Sequence, residues 1–82
     1  FVVYTDSLCI ELVVQGCYDT QSAALTALKN SDVSSDSKKT SCNAINTAIS
    51  ACDDLYNNCN SAGSTTNSKR SNAKAKFAET CA

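Results

Sequence analysis

The residues of this chain with the most chemistry in them are six cysteines: Cys9, Cys17, Cys42, Cys52, Cys59 and Cys81. They can ligate a metal, act as nucleophiles or pair with one another. Zinc sites favour close Cys-x2-Cys pairs, commonly joined by histidine. No two of these cysteines are that close, and the chain has no histidine. A catalytic thiol needs an unpaired cysteine beside a base. An even count without histidine offers neither. Pairing remains, and an even count in a short chain points to an oxidising compartment, so the expectation is a secreted, extracellular protein. The start at Phe1 rather than Met fits a mature chain after signal-peptide removal.

Other chemistry is sparse. Asp53 and Asp54 suggest paired carboxylates, but adjacent helical side chains diverge by about 100° and do not converge on one substrate. Gly16 and Gly63 are isolated, so no phosphate-cradling loop exists, and there is no Gly-x-Ser-x-Gly. The expectation is no active site, no cofactor, no metal and no enzyme. The charges are uneven. Lys69, Arg70, Lys74 and Lys76 lie close together, with only Glu79 among them, whereas Asp6, Glu11, Asp19, Asp32, Asp36, Asp53 and Asp54 lie elsewhere. The cationic segment is either a solvated helix steered onto acidic neighbours or a patch for a protein receptor or anionic membrane surface. A net charge of −1, with no aromatics between the cations, argues against nucleic acid.

Three helices must position these groups. Ile10, Val14, Cys17, Gln21, Ala24 and Leu28 recur at helical spacing and predict a first helix over about 6–29, capped by Asp6 or Ser7. Glu11 sits in its early turns, where a negative charge suits the helix dipole. Cys42, Ile45, Ile49, Cys52, Tyr56 and Cys59 predict a second over 37–58, capped by Asp36 or Ser37. Ala73, Phe77 and Cys81 mark a third over 67–81. Polar turns around 30–37 and around Gly63 separate them. The chain is short for an unaided core, and the bridges supply the staple.

Helical geometry then selects among the 15 possible pairings. Within a helix, Cys9 and Cys17 would lie about 12 Å apart and Cys52 and Cys59 about 10.5 Å. A disulfide needs Cα atoms within roughly 7 Å. Short turns make neighbouring helices antiparallel, so partners fall symmetrically about each turn. Cys9–Cys59 and Cys17–Cys52 both centre near residue 34, in the first turn, and Cys42–Cys81 centres beside Gly63. These three bridges are predicted. One misfit accompanies them: on a continuous helix Cys9 and Cys17 are about 80° apart in phase, which a bend at Gly16 would have to absorb.

The fold class expected is therefore all-α, a disulfide-stapled antiparallel three-helix bundle of one domain, drawn as two hairpins sharing the middle helix. In outline this plan resembles ciliate pheromones, some helical arthropod toxins and small secreted effectors. Saposin-like proteins differ by opening with a close Cys-x2-Cys pair. Phe1, Val2, Val3 and Tyr4 form an apolar strip that covers the bundle end, makes a contact surface or lids a lipid cavity. Tyr18 and Tyr56 are expected to shield the Cys17–Cys52 bridge. The functional expectation is recognition of a receptor, host protein or membrane by a signal, toxin or effector, through Lys69, Arg70, Lys74, Lys76 and the apolar strip. The alternatives are a carrier of a small apolar ligand and, from the Thr40–Thr47 face of the second helix, an ice- or surface-binding protein.

Overall fold

The computed structural model describes residues 9–81. Among them are three helices, α1 (Glu11–Asn30), α2 (Ser35–Asn57) and α3 (Ser64–Cys81), and no strand. The disulfides are Cys9–Cys59, Cys17–Cys52 and Cys42–Cys81, with Cα separations of 4.8, 5.7 and 5.8 Å. The expected fold class and all three pairings hold.

The helix ends differ from the sequence reading. Cys9 precedes the helix and Ile10, its N-cap, is extended (φ −118°, ψ 99°), so α1 starts at Glu11 rather than near residue 6. The proposed caps Asp6 and Ser7 lie outside the described residues. This late start removes the phase misfit. Cys9 stands off the helix and Cys59 lies beyond the end of α2, so their bridge joins two non-helical segments and needs no bend at Gly16. Ser34, not Asp36 or Ser37, caps α2, its hydroxyl accepting the Ser37 N–H at 3.2 Å. The third helix begins three residues earlier than expected, which brings Thr66 into its first turn.

The core is Val14, Tyr18, Leu25 and Leu28 from α1, Cys42, Ile45, Ile49 and Cys52 from α2, and Ala73 from α3. The α2 stripe is the one read from sequence, apart from Tyr56 and Cys59, which are half-buried. The α1 stripe is rotated: Tyr18 is completely buried, Cys17, Gln21 and Ala24 are half-buried, and Ile10 is exposed. The cause is that α1 packs against two helices, so its buried arc lies between two narrower stripes. In α3 Thr66 and Thr80 are buried alongside Ala73.

The two antiparallel hairpins share α2 in chain order, but the most extensive packing falls elsewhere. α1 packs most extensively, above all along α3, and α2 meets α3 least. An up-down-up chain makes α1 and α3 parallel. Their polar contacts run in near-constant register: Gln15 with Thr66, Asp19 with Lys69, Thr26 with Lys76 and Lys29 with Glu79. The small buried residues Thr66, Ala73 and Thr80 let the two axes approach closely.

Gly16 lies on the exposed face of α1, and a Cβ there would meet nothing within 4 Å. Glycine inside a helix costs roughly 0.5–1 kcal/mol relative to alanine. Gly16→Ala should therefore raise the unfolding free energy by about that amount in urea titrations monitored by helical circular dichroism.

Candidate functional site

The four cations of α3 are turned onto the other two helices. Lys69 Nζ lies 3.1 Å from Asp19 Oδ2, Arg70 Nε 3.3 Å from Asp53 Oδ1 and Lys74 Nζ 2.8 Å from Asp53 Oδ2. Lys76 Nζ donates to Thr26 Oγ1 at 2.8 Å. The cationic segment is thus a helix steered onto acidic neighbours. These pairs are partly exposed, where an ion pair is worth only about 0–1 kcal/mol, so they set orientation more than stability.

Asp53 is the hub of a polar network. The Tyr18 hydroxyl donates a short hydrogen bond to Oδ1, and Arg70 and Lys74 hold the two oxygens from α3. Tyr18 itself is fully buried. Arg70 also lies over the Tyr56 ring, 4.6 Å from its centroid, and the Tyr56 hydroxyl donates to Asn67 Oδ1 at 2.6 Å. Burial alone would raise the Asp53 pKa. Bonds from Lys74 and Tyr18, with the charges of Lys74 and Arg70, outweigh that and hold it below the ordinary carboxylate value. Burial, then the bond to the Asp53 carboxylate and its charge, push the Tyr18 phenol above its usual range. Both tyrosines belong to the packed cluster that contains Cys17 and Cys52.

Glu11 serves a different helix from the one it opens. Its Oε1 accepts the Gly63 N–H and the Thr66 hydroxyl, both at 2.7 Å, and so places a carboxylate at the N-terminus of α3. Thr66 accepts from Gln15 Nε2 at 2.9 Å, which satisfies this buried hydroxyl twice. The Thr66 hydroxyl, and next the Gly63 N–H, hold the Glu11 pKa below its ordinary value. Glu11→Gln should lower the melting temperature at neutral pH and leave it little changed below the folded pKa, where the wild-type side chain is also neutral.

With its contacts accounted for, the chain stands apart. No protein family, curated protein or solved structure matches it. Among the described residues no helix is long and apolar enough to cross a membrane, and no cluster of three His, Cys, Asp or Glu residues is placed to hold a metal. Three disulfides fit an extracellular protein.

Two surface features among the described residues bear on recognition. At the end closed by Cys9–Cys59, Ile10, Val13 and Leu55 line a small depression over Val14, and the neighbouring Leu12 is 79% exposed. Phe1, Val2, Val3 and Tyr4 lie outside the described residues. At the opposite end a groove follows the Cys42–Cys81 bridge. The Thr40 and Thr47 hydroxyls bond back to the Asp36 and Asn43 carbonyls, so their protons point along the helix rather than forming an outward array.

Proposed function

We propose that the protein acts outside the cell as a rigid recognition module, binding a protein partner through the apolar end of the bundle. The observation that carries this reading is the depression lined by Ile10, Val13 and Leu55, all exposed, at the end closed by the Cys9–Cys59 bridge. Large apolar side chains gathered at one place on a small domain mark a contact surface. A bridge that holds them in position lowers the ordering cost of association. Their sequence neighbours Glu11 and Asp54 are acidic, which favours a protein over an anionic membrane. Lys69, Arg70, Lys74 and Lys76 are engaged within the bundle, so reversing their charge perturbs the fold as well as any partner.

The test uses labelled, fully oxidised protein on cells of its source. Saturable binding, competed by unlabelled protein, is expected. The double variant Ile10→Asp, Val13→Asp should keep the wild-type melting temperature and lose at least about tenfold in affinity, as expected for central apolar contacts. Wild-type binding by that variant would remove the apolar end from recognition.

A further inference from the structure

The groove at the other end of the molecule has its own chemistry. It has a volume of about 390 Å3 and runs between the first two turns of α2 and the last turn of α3. Its floor is the Cys42–Cys81 bridge, and the half-buried Phe77 forms one wall. Ser35, Lys38, Lys39 and Cys42 follow one another at helical spacing, so both lysines stand on the α2 face that lines it.

Lys38 and Lys39 differ from the other cations. Lys29, Lys69, Arg70 and Lys74 each have a carboxylate partner, and Lys76 has the Thr26 hydroxyl. Lys38 and Lys39 make no ion pair among the described residues, even with the nearby Asp32 and Asp36. A third polar group in the groove is also unused. No buried side-chain oxygen or nitrogen among the described residues lacks a partner, so the Thr80 hydroxyl, which lines the groove and makes no hydrogen bond among those residues, faces solvent there. A solvent-facing hydroxyl on the groove wall is available to a bound molecule.

We propose that this groove is a binding site for a small amphiphilic carboxylate. The aliphatic body lies along the bridge and the Phe77 ring. The carboxylate takes charge-assisted hydrogen bonds from Lys38 and Lys39 at the mouth, with the Thr80 hydroxyl as a further donor. The volume falls within the range of about 300–1,000 Å3 that small-molecule sites occupy. The positive end of the α2 dipole adds a field of the same sign as the lysines. This site is independent of the apolar end and of any protein partner there.

The experiment is a two-dimensional amide NMR titration of the oxidised protein with sodium decanoate, kept below its micelle concentration. Saturable shifts confined to residues around Lys38, Lys39, Phe77 and Thr80 are expected. Decanol should bind more weakly, and acetate more weakly still. Replacing both lysines by glutamine should lower decanoate affinity about tenfold, since charge-assisted hydrogen bonds are stronger than neutral ones but solvent screens these exposed lysines. Decanol binding should be unaffected by that change, and both lysines are exposed, so the variant is expected to fold as wild type. No saturable shift with decanoate, shifts centred on Leu12 and Val13, or equal affinity in the double variant would each overturn the proposal.

Discussion

Replacing Cys17 and Cys52 together by alanine should lower the unfolding free energy by about 4 kcal/mol. The bridge spans 35 residues, and the chain-entropy model gives about 3–4 kcal/mol for a loop of that size. Cys52 is fully buried, so loss of its sulfur adds about 1 kcal/mol of packing, while the outer bridge returns a similar amount by still restraining the open chain. Cys9–Cys59 encloses Cys17–Cys52. Once the inner bridge is closed, the outer one joins ends only about 15 residues apart through it, for which the same model gives about 3 kcal/mol. Removing Cys9–Cys59 should therefore cost slightly less, and the loss should concentrate at the bundle end. Amide exchange should rise around Glu11 and Gly63, whose bond the bridge holds in place. A domain this small has a total stability near the lower end of about 5–15 kcal/mol. Full reduction should then unfold it at 25 °C. Urea midpoints unchanged in the Cys17→Ala, Cys52→Ala variant would show that packing alone holds α1 against α2.

The cysteine pairing was legible because it depends on quantities that sequence spacing carries directly: rise per residue, and the positions of two turns. Pairing about the midpoint of a turn requires only that the two chains run antiparallel, so it holds although Cys9 stands outside the helix. The α2 stripe was legible for a similar reason, since its apolar residues recur at helical spacing. What spacing does not carry is which helix sits between the other two. That choice depends on Thr66, Ala73 and Thr80, residues too small or polar to register as core, which allow α3 to lie close along α1. Tyr18 escaped for the same reason. It belongs to no apolar stripe drawn from one neighbour, and it is buried because α1 has two. The separation of Asp53 from Asp54 was foreseen, but not that Asp53 would face a tyrosine and two cations from other helices. The clustering of Lys69, Arg70 and Lys74 opposite acidic segments was the available signal, and it pointed to the internal pairing as one of two readings.

Asp53→Asn should cost about 1.5–3 kcal/mol, more than its partly exposed ion pairs could supply by themselves. The larger part comes from Tyr18, whose buried hydroxyl donates to a carboxylate in the native protein and to a neutral amide oxygen in the variant. Arg70 and Lys74 lose their shared counter-ion but keep access to solvent, so their contribution is the smaller one. A double-mutant cycle separates the two. Tyr18→Phe removes the hydroxyl while preserving the ring, and if the Tyr18–Asp53 bond dominates, the two substitutions together should cost clearly less than their sum. Full additivity would locate the Asp53 contribution in the lysine and arginine instead. The pH dependence gives a second readout. A carboxylate whose folded pKa lies below its unfolded value contributes stability that is complete above the unfolded value, near 4, and is lost as pH falls through the folded one. Wild-type protein should therefore lose stability on acidification below about pH 4, partly through Asp53 and partly through Glu11, whose pKa is also lowered. Asp53→Asn should flatten that acid limb without abolishing it, and adding Glu11→Gln should flatten it further. An acid limb identical in wild type and Asp53→Asn would mean that Asp53 titrates alike in the folded and unfolded chains, and that the network at the meeting point of the three helices orients them without stabilising them.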